Sequence, residues 1–424
     1  MRFNCTAVGL VLASASMAFA SSANAQYKSS ASGQPATVKG SDQAAEAGKL
    51  PKVSESARKE IVAFQAAVNA GDAAAIATAL AAAQAKAKSK DDKYIIAKLQ
   101  LKAAADAKND AAIGQAIEAI LASGYDIGSE SGILYNNLGK IYYNAKAYDR
   151  ASTALEHVLQ IEPNNFDAMV MLAETRQSQG RTADAVATIQ KAIAIRTAAG
   201  QKAEEAWYKR AVALAFNGKL PSAASLSRDW VAAYPTAKNW RDAIRIYQTS
   251  TGQGDDSLLD SMRLAQATGA LAGENDYFRF TNALILKGFP GEAKAVLDQG
   301  FSSNAISRSK ETFSQLYAQA STKSQGDRAS LGAAATAALA APDAKKAMVI
   351  ADAYYGYGDY KEAADLYRAT LGKAGANKDL ANLRLGMALT RMGDKAGATA
   401  ALNAAGGAQA GVAQLWLIYL ATKA

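Results

Sequence analysis

The chain has 424 residues, a formal net charge of +9, and only one cysteine and one histidine. Its length is far above what one compact core serves, which leaves several domains or an elongated repeat array. So little Cys and His excludes a disulfide framework and thiol or Cys/His metal chemistry, and cations scattered among Asp and Glu, with no run of five like charges, describe solvated helix faces and no nucleic-acid tract.

Residues 1–25 read as an export signal. Arg2 precedes the apolar stretch Val8-Gly9-Leu10-Val11-Leu12-Ala13, and Ala23-Asn24-Ala25 gives the small-x-small pattern of a cleavage site, so the expected mature chain starts at Gln26. Ser14, Ser16, Ser21 and Ser22 dilute the run, whereas spanning a bilayer takes about 20 strongly apolar residues; no transmembrane anchor is expected after cleavage. Cys5 lies before the apolar run, where a lipid attachment site does not stand, and its loss with the signal leaves no thiol. The expected location is periplasmic or secreted. Without disulfides, such a chain folds by packing alone.

Residues 26–50 are poor in aliphatic side chains and rich in Ser, Gly, Ala and Lys, a composition that cannot offset the entropy of ordering and predicts a flexible leader. Beyond Pro51 the texture becomes helical. Apolar residues recur at helical spacing and breaks such as Asn69-Ala70-Gly71-Asp72, Lys108-Asn109-Asp110 and Ser123-Gly124 arrive roughly every 12 to 18 residues. No period-2 strand appears. Residues 51–130 are therefore read as degenerate N-terminal helical hairpins, since helices of that length joined by tight turns lie antiparallel.

From Gly132 a sharper pattern begins. Tyr135 takes the fourth place, Leu138 and Gly139 the seventh and eighth, Tyr142 the eleventh, Ala151 the twentieth, Leu155 the twenty-fourth and Pro163 the thirty-second. Small residues at the eighth and twentieth places let two helices approach, large ones fill the space between, and Pro stops the second helix. The frame returns from Phe166 (Leu172, Ala173, Gly180, Ala185, Ile189, Ala192) and from Glu204 (Trp207, Ala211, Leu214, Gly218, Ala223, Trp230, Pro235). It returns again from Glu274 (Tyr277, Leu284, Gly288, Ala293, Leu297), from Ala344 (Ala351, Tyr354, Gly358, Ala363, Tyr367) and from Asp379 (Leu385, Gly386, Leu389, Gly393, Ala398, Leu402). Five of these six units put Gly at the fifteenth place, where the first helix ends and a left-handed residue closes it without a Cβ penalty.

A helical pair repeating at about 34 residues with this signature resembles the tetratricopeptide repeat. The resemblance divides the chain into three units at 132–237, irregular hairpins at 238–343, two units at 344–412 and a C-terminal capping helix at 413–424 that carries Trp416-Leu417-Ile418-Tyr419-Leu420. Phe301 to Ala341 matches poorly and is where the array is expected to kink or split. The fold implied is all-α, a right-handed superhelical solenoid of antiparallel helix hairpins.

In that family the first helix of each hairpin lines a concave groove through its second, fifth, ninth, twelfth and thirteenth places. Carried onto this chain, the resemblance offers Asn136, Lys140, Tyr143, Asn144, Glu174, Tyr208, Phe216, Phe278, Asn282, Asp352 and Tyr355 as groove candidates. Aromatics beside amides suit a ligand with backbone amides or sugar hydroxyls. Asn136, Asn137 and Lys140 resemble part of the set with which some members grip a peptide carboxylate, but Met171 and Glu174 stand where its support is expected, so the set is incomplete.

Nothing points to catalysis. G-x-S-x-G, H-E-x-x-H, a Walker loop, G-x-G-x-x-G and C-x-x-C are all absent, and the lone His157 on a second helix has no nucleophile motif to pair with. No enzyme activity, cofactor or metal is expected; the third reading, a glycosidase carboxylate pair drawn from distant segments, would require paired buried carboxylates in a cleft. The function implied is a cell-envelope scaffold that holds a protein or peptide segment in its groove. The alternative is a carbohydrate-handling repeat protein that contacts surface polysaccharide or peptidoglycan, and the oligomeric state is left open.

Overall fold

The computed structural model describes residues 50–250 and 254–423; the expected signal and, but for Leu50, the expected leader lie outside them. Among the described residues there are twenty α-helices, a short 3-10 turn at Gly407–Gln409, and no strand beyond an isolated bridge between Asp343 and Ala374. The chain divides into two compact units, Met1–Arg181 and Thr182–Ala424.

The first unit runs α1 (Glu55–Ala70), α2 (Ala73–Lys86), α3 (Lys90–Asp106), α4 (Asp110–Ala122), α5 (Glu130–Asn144), α6 (Tyr148–Ile161) and α7 (Phe166–Ser178). The second begins with α8 (Thr182–Ala198), α9 (Glu205–Asn217), α10 (Ala223–Ala233), α11 (Ala237–Ser250), α12 (Asp255–Ala267), α13 (Gly273–Lys287) and α14 (Pro290–Ser302). It continues with α15 (Glu311–Ala340), α16 (Ala344–Tyr357), α17 (Tyr360–Leu371), α18 (Lys378–Met392), α19 (Lys395–Asn403) and α20 (Ala410–Thr422). Within each unit neighbours in sequence pack as pairs, among them α1 with α2, α3 with α4, α5 with α6, α13 with α14, α16 with α17 and α18 with α19. The architecture is all-α, a run of helical hairpins.

Local chemistry sets the helix ends. Asp72, Asn109, Asn165, Asp343, Asn377 and Asp394 each turn a side-chain oxygen onto N–H groups of the helix that follows, satisfying donors that have no intrahelical partner. At the other end the fifteenth-place rule holds with one exception. Gly180, Gly288, Gly358 and Gly393 have φ between 78° and 85°, and in the unit that lacks a glycine Lys146 takes φ 59° at that place. Gly218 does not: its φ is −78°, and Lys219 adopts the left-handed conformation one residue later, at φ 52°. The third unit therefore closes with the same turn shifted by one residue, the Leu220 N–H reaching the Ala215 carbonyl at 2.8 Å as the Ala147 N–H reaches that of Tyr142.

The small eighth place also has its expected cause. A Cβ on Gly139 would stand 2.7 Å from Leu155, and one on Gly386 would stand 2.5 Å from Leu402; both leucines occupy the twenty-fourth place of their unit. Two expectations change. The poorly matching stretch after Phe301 is mostly one 30-residue helix, α15, and the division into compact units falls instead between α7 and α8. The last helix does more than cover the final pair: Trp416 is fully buried, Tyr419 meets Trp240 edge-on at 6.3 Å, and the Tyr419 hydroxyl donates to the Ala267 carbonyl at 2.9 Å. Thus α20 also closes the C-terminal hairpins onto α11 and α12.

Candidate first-helix binding faces

In the first unit α5 and α7 are the first helices of their hairpins. Leu138, Ile141 and Tyr142 turn inward on α5, while Leu155 and Val158 of α6 share a cluster with Ala168, Met171 and Leu172 of α7. What remains of the α5 surface is a strip in which Asn136, Lys140 and Tyr143 are half-buried and Asn144 is exposed, with Ile133 51% exposed at its upper end. Glu174 is half-buried on α7. Tyr143 is steadied edge-on by Tyr148 at 5.7 Å. An ion pair and a hydrogen bond fix the end of α7 to α6: Arg176 donates to Glu156 at 2.9 Å, and the Gln179 amide donates to Asp149 at 2.7 Å.

The second unit treats the same places differently. Phe216 and Phe278 are about two-fifths exposed and Asn282 is half-buried, but Tyr208, Asp352 and Tyr355 are buried, at 4%, 2% and 7% exposure. These three are corrections to the groove set. Tyr208 meets Tyr234 edge-on at 5.9 Å, and burial pushes its phenol up from the ordinary value. Asp352 and Tyr355 lie under α12. Arg263 of α12 reaches Asp352 at 3.4 Å and stacks 5.0 Å above the Tyr355 ring, while the Tyr367 hydroxyl donates to Asp352 at 2.7 Å. On α18 the fifth, ninth and twelfth places, Leu383, Met387 and Thr390, are buried as well.

The covering helix is held by a buried ionic network that sequence reading missed. Arg263 clasps Glu292 of α14 with two nitrogens, at 2.8 and 2.7 Å, and Asp260 at 2.9 Å. Arg384 of α18 donates to Asp260 at 3.1 Å, to Asp352 at 2.7 Å and to Asp256 at 3.1 Å. Burial on its own would weaken the charge on both arginines; Glu292 and Asp352 around Arg263, and Asp260 and Asp352 around Arg384, override it and keep each protonated. Burial also raises the Asp260 carboxyl, against the pull of Arg384 and Arg263. One signal was available: Arg384 interrupts the apolar run from Leu383 to Leu389, all of it buried, and a charge so placed needs partners. Its partner Asp260 lies 124 residues away, and no spacing announces that.

His157 stacks on Tyr135 at 4.6 Å, and its Nδ1 lies 3.2 Å from Gln160 Oε1. Among the described residues no group of three or more His, Cys, Asp or Glu is arranged to hold a metal ion, and no helix is long and apolar enough to cross a membrane.

Residues 142–203, from the end of α5 through α8, match the family model described as tetratricopeptide repeat. No curated protein matches the chain. Among solved structures, a chain of Naa15/Naa10 bound to HypK-THB is similar at a TM-score of 0.31 and 12% identity, over 84% of this chain and 65% of that one. The present chain therefore spans a little under two thirds of that neighbour. The P58(IPK) TPR domain is similar at a TM-score of 0.21 and 14% identity, over 80% of this chain and 99% of that one. Likeness at that level carries no argument about this chain.

Proposed function

We propose that this chain, whose residues 142–203 match the tetratricopeptide-repeat model, is a non-enzymatic scaffold that holds a segment of a partner protein on the first-helix face of α5 and α7. The observation that carries this reading is the contrast in burial. Asn136, Lys140, Tyr143 and Asn144 keep accessible surface after their hairpin is packed, whereas Asp352 and Tyr355, at equivalent places, are buried. A half-buried ring beside amides and an ammonium suits a peptide: the ring gives area at small entropic cost, and the polar groups meet backbone amides. A preformed helical surface also binds without ordering itself.

The partner would be met in the cell envelope. Support comes from Arg2, the short apolar run and Ala23-Asn24-Ala25; the protein isolated from that compartment is expected to begin at Gln26, and an intact mass that retains Met1 would remove this part of the reading. The face itself is tested with a photoreactive phenylalanine analogue at Tyr143 or, as control, at Tyr208. Crosslinking in envelope extract should give one discrete protein adduct from position 143 and none from 208. Adducts that resist protease and carry glycan would replace the protein partner with a polysaccharide.

A further inference from the structure

The second unit contains a cavity of about 500 Å3 between α11, α12 and α13, well apart in sequence from the α5 strip. That volume lies within the range of small-molecule sites, roughly 300 to 1,000 Å3. Ile244, Leu258, Met262 and Leu271 give it an apolar floor, and Arg241, Arg245 and Arg279 bring three guanidinium groups to its wall against the single carboxylate of Asp276.

The charges are poorly spent inside the protein. Arg241 uses its Nε to hold the Ala270 carbonyl at 2.8 Å. Arg245 stands 3.8 Å from Asp276 Oδ1, outside hydrogen-bond range, with its side chain 60% exposed. The other oxygen of Asp276 accepts the Ala272 N–H at 3.0 Å. Arg279 is exposed and makes no ion pair among the described residues. Positive charge above an apolar floor therefore awaits an anion with an apolar body. Guanidinium groups favour a planar two-oxygen acceptor, because their paired N–H donors match it geometrically.

We infer that this cavity binds an aliphatic carboxylate, its two oxygens held between Arg245 and Arg279 and its chain laid over Ile244, Leu258 and Met262. The carboxylate has two possible sources, a free medium-chain acid or the C-terminus of a peptide ending in leucine. The inference is independent of the α5 face and stands whether or not that face holds a protein.

Calorimetry on the full chain tests it with four probes: decanoate, decanamide, and a peptide ending in Leu-Leu as free acid or as amide. Expected is saturable binding of at least one acid, a loss of tenfold or more on conversion to its amide, and weakening as salt screens the site. Decanoate alone assigns the source to free acids; the peptide acid alone assigns it to a chain terminus. Arg245→Gln combined with Arg279→Gln, both at exposed positions, should weaken the acid at least tenfold. Asp276→Asn keeps an amide oxygen for the Ala272 N–H but removes the opposing charge, and should tighten binding severalfold, a change that a merely structural role would not produce. Absence of binding by both acids, equal binding of acid and amide, or indifference to the double arginine variant overturns the inference.

Discussion

The α5 face of the first unit and the α16–α18 face of the second start from the same repeat frame and end in opposite states. On α5 the ninth place is Lys140 and the twelfth is Tyr143, both half-buried; on α16 they are Asp352 and Tyr355, both buried. The repeat fixes which side of a helix a residue faces, through the inward packing of Leu138 and Ala351 at their hairpin centres. It does not fix what lies on that side. In the second unit α12 occupies it, and Arg263 and Arg384 tie it down by pairing with Asp260, Glu292 and Asp352. A groove position becomes a core position when the chain supplies its own occupant.

Breaking that occupant's hold should give the largest effect. Arg384→Met leaves Asp260 and Asp352 buried with one cation fewer, and removing one partner of a buried pair costs about 3–5 kcal/mol. Lys140→Met, on the open face, should stay within about 0.5 kcal/mol of the parent. Urea unfolding of both variants checks the contrast; equal costs would mean that the network does not hold the α16–α18 face closed.

Much of this was readable from the chain. The hairpin frame, the left-handed fifteenth place and the small eighth place are local, decided by turn geometry and by two adjacent helices, so spacing carries them. Residues on the α5 strip were placed by the same frame. Tyr208, Asp352 and Tyr355 were misjudged because their burial depends on Tyr234 and on α12, and contacts between distant segments leave no period. The 30-residue α15 was missed because its Ala, Ser and Gln content blurs the apolar stripe that marks a hairpin boundary.

Next in size is the pair of glycines shared by the two regions. A Cβ on Gly386 meets the Leu402 side chain at 2.5 Å and its backbone nitrogen at 3.1 Å, whereas the three atoms nearest to one on Gly139 all belong to the Leu155 side chain, the first at 2.7 Å. Overpacking costs about 1–3 kcal/mol; Gly386→Ala should fall at the upper end and Gly139→Ala at the lower, since a leucine can turn and a backbone cannot. Thermal unfolding ranks them, and a reversed order would show that the second unit yields more easily than its closed face suggests.

The buried carboxylate of the first unit makes a smaller and pH-dependent contrast with the ion-paired network. Burial alone would raise Asp92, but N–H groups of Ser54, Ser89 and Lys88 and the Ser54 hydroxyl hold it down at about 2. Its folded value lies below the unfolded one, so its contribution is complete above pH of about 4 and is lost as pH falls through about 2. The loss amounts to about 2 kcal/mol at about 1.4 kcal/mol per pH unit. Urea midpoints at pH 5 and pH 2 should therefore separate less in Asp92→Asn than in the parent, and an unchanged separation would mean that the four donors do not favour the ionised form.

The smallest effect tests whether the turn or the glycine matters at the fifteenth place. Lys146 sits there at φ 59°, with its N–H bonded to the Tyr143 carbonyl at 3.0 Å, and Lys219 repeats this at φ 52°, bonded to Phe216 at 3.0 Å. A side chain in that conformation costs roughly 1 kcal/mol that glycine does not incur, so Lys146→Gly and Lys219→Gly should each raise stability by about 0.5–1 kcal/mol. Gly358→Ala, at φ 85° with open space around its Cβ, should lose a similar amount. Gly218→Ala separates the two causes. Its φ of −78° carries no left-handed cost, yet its Cβ would stand 3.0 Å from the Leu214 carbonyl oxygen and 2.9 Å from the Thr182 methyl. Any loss there comes from crowding against its own helix and against Thr182 of α8, and Lys219→Gly should not rescue it.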